Sequence, residues 1–259
     1  MNKKMIEMIT EYVKGYQGLK NTESEWRDPI IGFADAQDDL FPKLKEIIGP
    51  AHSVPADIIP RARSVIVFFL PFSEEIIGSN ISGENGSRAW DMAKIETNLL
   101  IEDLNRYLYE QIIARGYKAS LLPATYNYDE DKLISDWSHR SVAYIAGIGT
   151  FGINNMLITK SGCCGRIGSV ITDMPLVPTE RPKEEYCLYK FNGSCKKCHK
   201  QCVADALDLS ENRVLFERNK CNGQINKNVP VYANGVGDTC GKCMVNLPCS
   251  LRIPLTSGY

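Results

Sequence analysis

No run of apolar residues in this chain is long enough to cross a bilayer, which takes about eighteen or more; the longest candidate, Ser64 to Phe72, has the length of a strand. The opening residues, MNKKMIEMITEYVK, alternate charge with apolar side chains and lack the apolar core and small-residue cleavage site of a secretory signal. A cytoplasmic protein without membrane contact is expected. An excess of charge of one sign is also missing: 30 Lys and Arg face 31 Asp and Glu, a formal net charge of −1 over 259 residues. Nothing global therefore favours a nucleic-acid partner. With 44% hydrophobic and 24% charged residues, the composition excludes a disordered or collagen-like chain. The length suits one or two domains with a substantial core. Cysteine is absent before Cys163.

All ten cysteines lie in the remaining stretch, eight of them between Cys187 and Cys249. In a reducing compartment clustered thiols hold metal more often than they form disulfides. The spacing is Cys187-x7-Cys195-x2-Cys198-x3-Cys202, then Cys221-x18-Cys240-x2-Cys243-x5-Cys249. The first block ends in the C-x2-C-x3-C portion of the run that binds clusters in bacterial two-cluster ferredoxins. Thiolates two or three residues apart wrap corners of one cube, while the last, on the next helical turn, points to the other cluster. On that pattern one [4Fe-4S] cluster takes Cys187, Cys195, Cys198 and Cys249, and a second takes Cys221, Cys240, Cys243 and Cys202. Val203 stands where proline is usual, and Pro248 precedes Cys249 instead of following it. Structural zinc is the competing reading: the C-x2-C pairs Cys195/Cys198 and Cys240/Cys243 could close one four-thiolate site, leaving the other four without a role. Residues 181–259 carry twelve Lys and Arg against seven acids, a surplus of +5. That surplus offsets the charge of about −2 carried by each oxidised cube with its four thiolates.

The first 180 residues read as mixed α/β. A helical stripe runs from Met1 to Tyr16 through Met5, Ile6, Ile9, Tyr12 and Val13. Ser64 to Leu70, closed by Pro71, is a buried strand. Asp91 to Arg115 is the longest helix, with Leu99, Leu100, Leu104, Tyr107, Leu108 and Ile112 on one side and Gly116 as its stop. Strands are expected at Lys118–Leu122, Asn155–Thr159 and Ile167–Thr172, a further helix at Trp137–Ala146, and a mobile loop at Ile77–Ser87. Pro175, Pro178 and Pro182 mark a boundary near Met174 to Pro182. Gly147-Ile-Gly149-Thr-Phe-Gly152 satisfies the dinucleotide fingerprint, but it follows a helix and precedes a strand, the reverse of what pyrophosphate binding needs. Its glycines suit a tight helix-to-strand turn whose backbone can approach a flat ligand.

The run from Ser138 to Leu176, SHRSVAYIAGIGTFGINNMLITKSGCCGRIGSVITDMPL, followed by the eight-cysteine segment, resembles the epoxyqueuosine reductase family, which is related to the reductive dehalogenases. The similarity extends from about Arg61 to Cys249. It implies an α+β fold: a nitroreductase-like mixed sheet flanked by helices over residues 1–176, then a ferredoxin-like domain with two [4Fe-4S] clusters over 177–259. The first domain would hold cobalamin or another corrinoid, with a flavin as second choice. Electrons from reduced ferredoxin or flavodoxin would pass through the clusters to the corrinoid and on to a small-molecule or modified-base substrate. A corrinoid protein is a further partner such a chain could serve. Gly147, Gly149, Gly152 and Asn154 agree with the family's G-L-G-x-x-G-K-N segment, whereas Ile153 replaces its lysine and Thr150 its usual tryptophan. His139 stands where tRNA-modifying members have glutamate, with Arg140 kept. The chain ends ten residues after Cys249 without the helical repeats those members use on RNA, which argues against tRNA as substrate.

The resemblance makes Gly147, Gly149, Gly152 and Asn154 candidates for cofactor contact, each with an ordinary tight turn as its alternative. Arg140 would pair with a cofactor phosphate or form a structural ion pair. His139 would donate a proton or cap a helix. The family's aspartate proton donor lies just upstream, where Asp136 and Asp131 both stand. Asp136 abuts the matched segment and is preferred, with a helix N-cap as its alternative role. Cys163 and Cys164 fall outside the cluster blocks and are expected as small, partly buried residues beside the pocket. His199 is expected to tune a cluster through hydrogen bonding. Two readings from other classes remain: a non-catalytic electron-transfer or corrinoid-reducing partner protein, and a zinc-stabilised interaction module.

Overall fold

The computed structural model describes residues 1–210 and 214–256. The elements run α1 (Asn2–Lys20), β1 (Ile30–Asp35), α2 (Leu40–Ile47), α3 (Pro55–Ile58), β2 (Ser64–Pro71), α4 (Glu74–Ser79), α5 (Arg88–Ile113), β3 (Tyr128–Asp129), β4 (Ile134–Ser135), α6 (His139–Ile145), β5 (Gly149–Phe151), β6 (Leu157–Thr159) and β7 (Gly165–Thr172). In the cysteine-rich part they are α7 (Leu188–Asn192), α8 (Lys197–Gln201), β8 (Leu207–Asp208), β9 (Leu215–Phe216), α9 (Arg218–Ile225), β10 (Val231–Tyr232) and β11 (Gly235–Val236). The fold class is mixed α+β. No helix among the described residues is long and apolar enough to cross a membrane.

The main sheet has the order β1-β2-β7, with β2 in the centre and every residue of that strand buried. Alternation of side chains along a strand sends Ile66, Phe68 and Leu70 to one face, where they meet α1 and α5 through Ile9, Leu100 and Leu104. Val65, Val67 and Phe69 point to the other, against Phe41, Val142 and Ala146. Helical cover on both faces explains why the central strand reads as an unbroken apolar run rather than an alternating one. All strand pairs among the described residues are antiparallel, which corrects the expected mixed sheet. The cause is connectivity: β7 enters at Gly165 opposite Pro71, the end at which β2 leaves.

Several local expectations shift. Ser87 caps α5 by accepting from the Trp90 amide at 3.2 Å, and Gly116 follows the helix with φ +83°. Leu99, assigned to the apolar side, is exposed, because the buried stripe runs through Leu100, Leu104, Leu108 and Ile112. Lys118–Leu122 is no strand. It makes one bridge, Ala119 to Thr172, and the Ser120 hydroxyl accepts from the Ile171 amide (2.9 Å), replacing a ladder bond. The expected loop at Ile77–Ser87 loses its first residues to α4; the rest is anchored at Asn80 and Ser87, with residues 81–85 exposed between them. Asn80 is wholly buried, and its side-chain oxygen accepts from the Ser87 amide at 2.9 Å.

A third core joins residues from both sides of the proline-marked boundary. Phe72, Trp90, Ile153 and Ile158 pack with Cys187, Cys198, Leu207, Val245 and Leu247. The cysteine-rich segment is thus seated on the end of the sheet by shared apolar burial. For the main core, Leu104→Ala removes a fully buried side chain and is expected to cost about 2–5 kcal/mol, read as a lower unfolding midpoint in urea.

Candidate metal centres

Ligand spacing translates into two groups of thiols. Cys187 caps α7, Cys198 lies within α8, and Cys195 sits in the turn between the two helices. These three and Cys249 line one small cavity. Burial and the neighbouring sulfurs of Cys249, Cys187 and Cys195 push the Cys198 thiol up to about 12. The Cys249 thiol is also raised, first by a hydrogen bond with Cys163 and then by burial.

Cys202 is the C-cap of α8. Its sulfur accepts from the Ala206 amide at 3.3 Å and lies with those of Cys221, Cys240 and Cys243. Burial, then Cys240 and Cys202, push Cys221 up to about 11. Cys243 is raised by burial and by the other three sulfurs, with a further contribution from Cys198 across in the first group. The two quartets are therefore neighbours, and each borrows one sulfur from the other's stretch of sequence. Among the described residues no three His, Cys, Asp or Glu side chains converge tightly enough to hold a single metal ion.

Beside the quartets lies a cavity of about 750 Å³. One side is the β5–β6 hairpin, at Phe151, Gly152, Ile153 and Asn155, with Asp131 and Lys132; the other is Lys190 together with Phe216, Glu217 and Arg218. Gly152 and Ile153 also line the first quartet's cavity. The hairpin turn is the partition between the two spaces.

The predicted non-cysteine residues divide. Gly152 lines the cavity, and a Cβ there would meet the Asn154 side-chain oxygen at 2.6 Å. Gly147 (φ +73°) and Gly149 do not reach it: a Cβ on the first would strike the Glu180 carbonyl oxygen at 2.7 Å and on the second that of Ile158 at 2.2 Å. Their role is close backbone packing, and Gly149 belongs to a strand that the expected turn had hidden. Asn154 is buried and donates to the Cys243 carbonyl at 2.7 Å, tying the hairpin to the second quartet instead of to a cofactor. Arg140 donates to the Asn155 carbonyl at 2.7 Å and stands beside the sulfurs of Cys221 and Cys243. It makes no ion pair among the described residues.

His139 corrects an expectation. It is buried, with Nδ1 3.0 Å from the Ser169 hydroxyl and Nε2 3.0 Å from the Pro123 carbonyl oxygen, so neither nitrogen is free for a substrate. Asp136 is not the helix cap; Ser138 is, accepting from the Ser141 amide. Asp136 lies near His52 and Lys132, while Asp131 is the carboxyl in the cavity wall. Cys163 and Cys164 are buried, with Cys164 Sγ 3.1 Å from the Met244 carbonyl oxygen. His199 Nδ1 is held by the Leu207 carbonyl at 2.6 Å. The sequence reading missed Arg218, Lys132 and Lys190 in the cavity wall and the half-buried Arg166, whose buried Nε has no hydrogen-bond partner; isolated basic residues carry no spacing signal.

These features sit on a recognisable scaffold. The chain shares the fold of the epoxyqueuosine reductases. It matches the structure of a selenomethionine-labelled epoxyqueuosine reductase at TM-score 0.50 and 18% identity, covering 95% of this chain and 66% of that one. The enzyme from Streptococcus thermophilus matches at TM-score 0.54 and 16% identity, over 98% of this chain and 68% of that one. A catabolic reductive dehalogenase in complex with 3-bromo-4-hydroxybenzoic acid matches at TM-score 0.54 and 15% identity, over 87% of this chain and 30% of its own length. This chain thus spans about two thirds of the epoxyqueuosine reductases it matches. No family model and no curated protein matches it.

Burial lowers His139 from 6.5 to about 4, and His52 is shifted the same way by the same cause. Between those values the unfolded chain takes up a proton that the folded one refuses, so stability is full above pH 6.5 and is lost as pH falls towards 4. For His139 alone the loss from pH 7 to pH 5 is about 2 kcal/mol. Urea unfolding against pH should show this acid limb, and His139→Gln should make it shallower.

Proposed function

We propose that this chain is an iron–sulfur oxidoreductase with two [4Fe-4S] clusters, one on Cys187, Cys195, Cys198 and Cys249 and the other on Cys202, Cys221, Cys240 and Cys243. The observation that carries the reading is the sorting of eight cysteines from two sequence blocks into two neighbouring quartets with reciprocal exchange. Two adjacent quartets that give all eight cysteines a role favour two clusters over one four-thiolate zinc site, which would leave four of them without one. When bound, the clusters supply one-electron transfer.

The nearby cavity fits a cofactor or substrate: its volume of about 750 Å³ lies within the roughly 300–1,000 Å³ of small-molecule sites. Phe151 and Phe216 offer apolar contact, Gly152 allows close backbone approach, and Lys190 and Arg218 suit an anionic group, with Asp131 and Glu217 also in the lining and Lys132 paired with Asp129 at 2.9 Å. Cobalamin or another corrinoid is the preferred occupant and a flavin the second choice, with reduced ferredoxin or flavodoxin as electron donor. On the family resemblance, residues 1–176 form a nitroreductase-like part and 177–259 a ferredoxin-like part. Asp131, in the lining, is favoured over Asp136 as the proton donor to a small-molecule or modified-base substrate.

Anaerobic purification followed by iron, sulfide and cobalt analysis tests the proposal. About eight irons and eight sulfides per chain are expected, with cobalamin taken up one to one on reconstitution. A single divalent ion without sulfide would overturn it; clusters without corrinoid or flavin binding would make the chain an electron carrier. Cys198→Ala should lose about four irons, one cube's worth, whereas Cys163→Ala should keep the full complement.

A further inference from the structure

The two C-x2-C turns each carry a lysine just before their second cysteine: Lys197 in Cys195-Lys-Lys-Cys198 and Lys242 in Cys240-Gly-Lys-Cys243. The same position falls in opposite environments. Lys197 is exposed, and water screens its charge. Lys242 is only 3% exposed, and its Nζ donates to the Asn80 carbonyl (2.8 Å), the Ser82 carbonyl (2.8 Å) and the Asn80 side-chain oxygen (3.2 Å). Those bonds use all three N–H groups of an ammonium, and every acceptor is neutral.

A buried ammonium needs an opposite charge close by. No ion pair among the described residues includes Lys242. The ionisable group within electrostatic reach of it is the Cys240 sulfur, two residues earlier in the same turn. Asn80 locks the arrangement from the other side, donating from Nδ2 to the Cys240 carbonyl at 2.8 Å. Gly241 (φ +68°) seats the turn against Trp90, where a Cβ would meet the indole at 2.4 Å. The ammonium is therefore fixed in place and shielded from solvent, next to the second quartet.

We propose that Lys242 is the fixed counter-charge of the second cluster and holds that cluster's reduction potential higher than a neutral side chain would. The inference rests on the iron–sulfur reading above. One-electron reduction by an external reductant adds one negative charge to the cluster core; no bond forms or breaks and no proton moves. A cation fixed in a poorly screened position stabilises the more negative state. Lys197, in water, does so far less for the first cluster. Lys242 acts through its field, as a positioning residue that also ties the segment after α4 to the cluster turn.

The test is an EPR-monitored redox titration of the anaerobically reconstituted full chain, with dithionite as reductant and with iron and sulfide assayed on each sample. Lys242→Gln keeps a donor for Asn80 and removes the charge. It should shift the midpoint of one of the two cluster signals to more negative potential and leave the other. Lys242→Arg should restore the midpoint, and Lys197→Gln should move neither. Loss of one cube's iron in Lys242→Gln with retention in Lys242→Arg also supports the proposal, because the charge is then what holds the cluster. An unchanged midpoint in Lys242→Gln overturns it, as does an equal shift or equal iron loss in Lys242→Arg, since the lysine would then be a packing strut. Wild-type protein without two cubes' worth of iron and sulfide overturns the iron–sulfur reading and this inference together. Full iron with unmoved potentials overturns this inference alone.

Discussion

Eight sulfurs, buried or half-buried at one seam, set the terms for the rest of the molecule. Burial and mutual repulsion hold Cys198 near 12 and Cys221 near 11 and raise Cys243, while Cys249 is raised first by its hydrogen bond with Cys163 and then by burial. At neutral pH such groups are protonated thiols, unless cations among them make the thiolate the better state. Packing is arranged around the same seam. The third core draws Trp90 from α5, Ile153 and Ile158 from the β5–β6 hairpin, and Val245 and Leu247 from the last cysteine block. The quartets are consequently held by packing that draws on both parts of the chain.

The charges beside the seam follow the same logic. Arg140 and Lys242 are both withdrawn from solvent to a large degree, bonded to backbone oxygens, and without a carboxylate at ion-pairing distance among the described residues. Elsewhere in the chain, cations that meet acids do so in the open or half-open, as Arg88 does with Glu23 (2.6 Å) and Lys20 with Asp103 (2.9 Å). Surface pairs of that kind contribute little. An uncompensated buried cation is a different matter, because its desolvation must be offset by something negative. The sulfur quartets, as thiolates around bound cations, would supply it. The basic surplus of the cysteine-rich segment is thus partly structural, turned inward at Lys242, and partly ordinary solvated surface, as at Lys197.

What the sequence made legible was whatever depends on period or spacing. The apolar run of β2, the stripe of α5 and the division of the cysteines can each be read from intervals along the chain, since geometry maps such intervals onto a strand, a helix face or a cube. Single polar residues resisted the same treatment. His139 looked like a proton donor because of its chemistry, yet Ser169 and Pro123 meet both of its ring nitrogens from elements thirty and sixteen residues away in sequence. Asp136 adjoins the helix and Asp131 does not, but the β3–β4 hairpin places Asp131, the more distant one in sequence, in the cavity wall. Glycines divided for the same reason: positive φ at Gly147 and backbone crowding at Gly149 leave only Gly152 facing the cavity.

The partition between cavity and first quartet shows how one departure from the related pattern changes the site's chemistry. Gly152 has no side chain to thicken the wall, and Ile153 lines the space on both sides of it. The resembling enzymes carry lysine at the position of Ile153; here that position is apolar and packs in the third core with Cys187 and Cys198. A lysine there would need its ammonium to reach solvent or a partner, and it would bring positive charge to the hairpin wall. With isoleucine, the cations of the cavity are instead Lys132 on one side and Lys190 and Arg218 on the opposite one. An anionic occupant would then be held mainly from the cysteine-rich face, with its apolar body against Phe151 and the hairpin. Such recognition would rest on residues that no motif marks, and the glycine loop by itself does not say what the cavity binds.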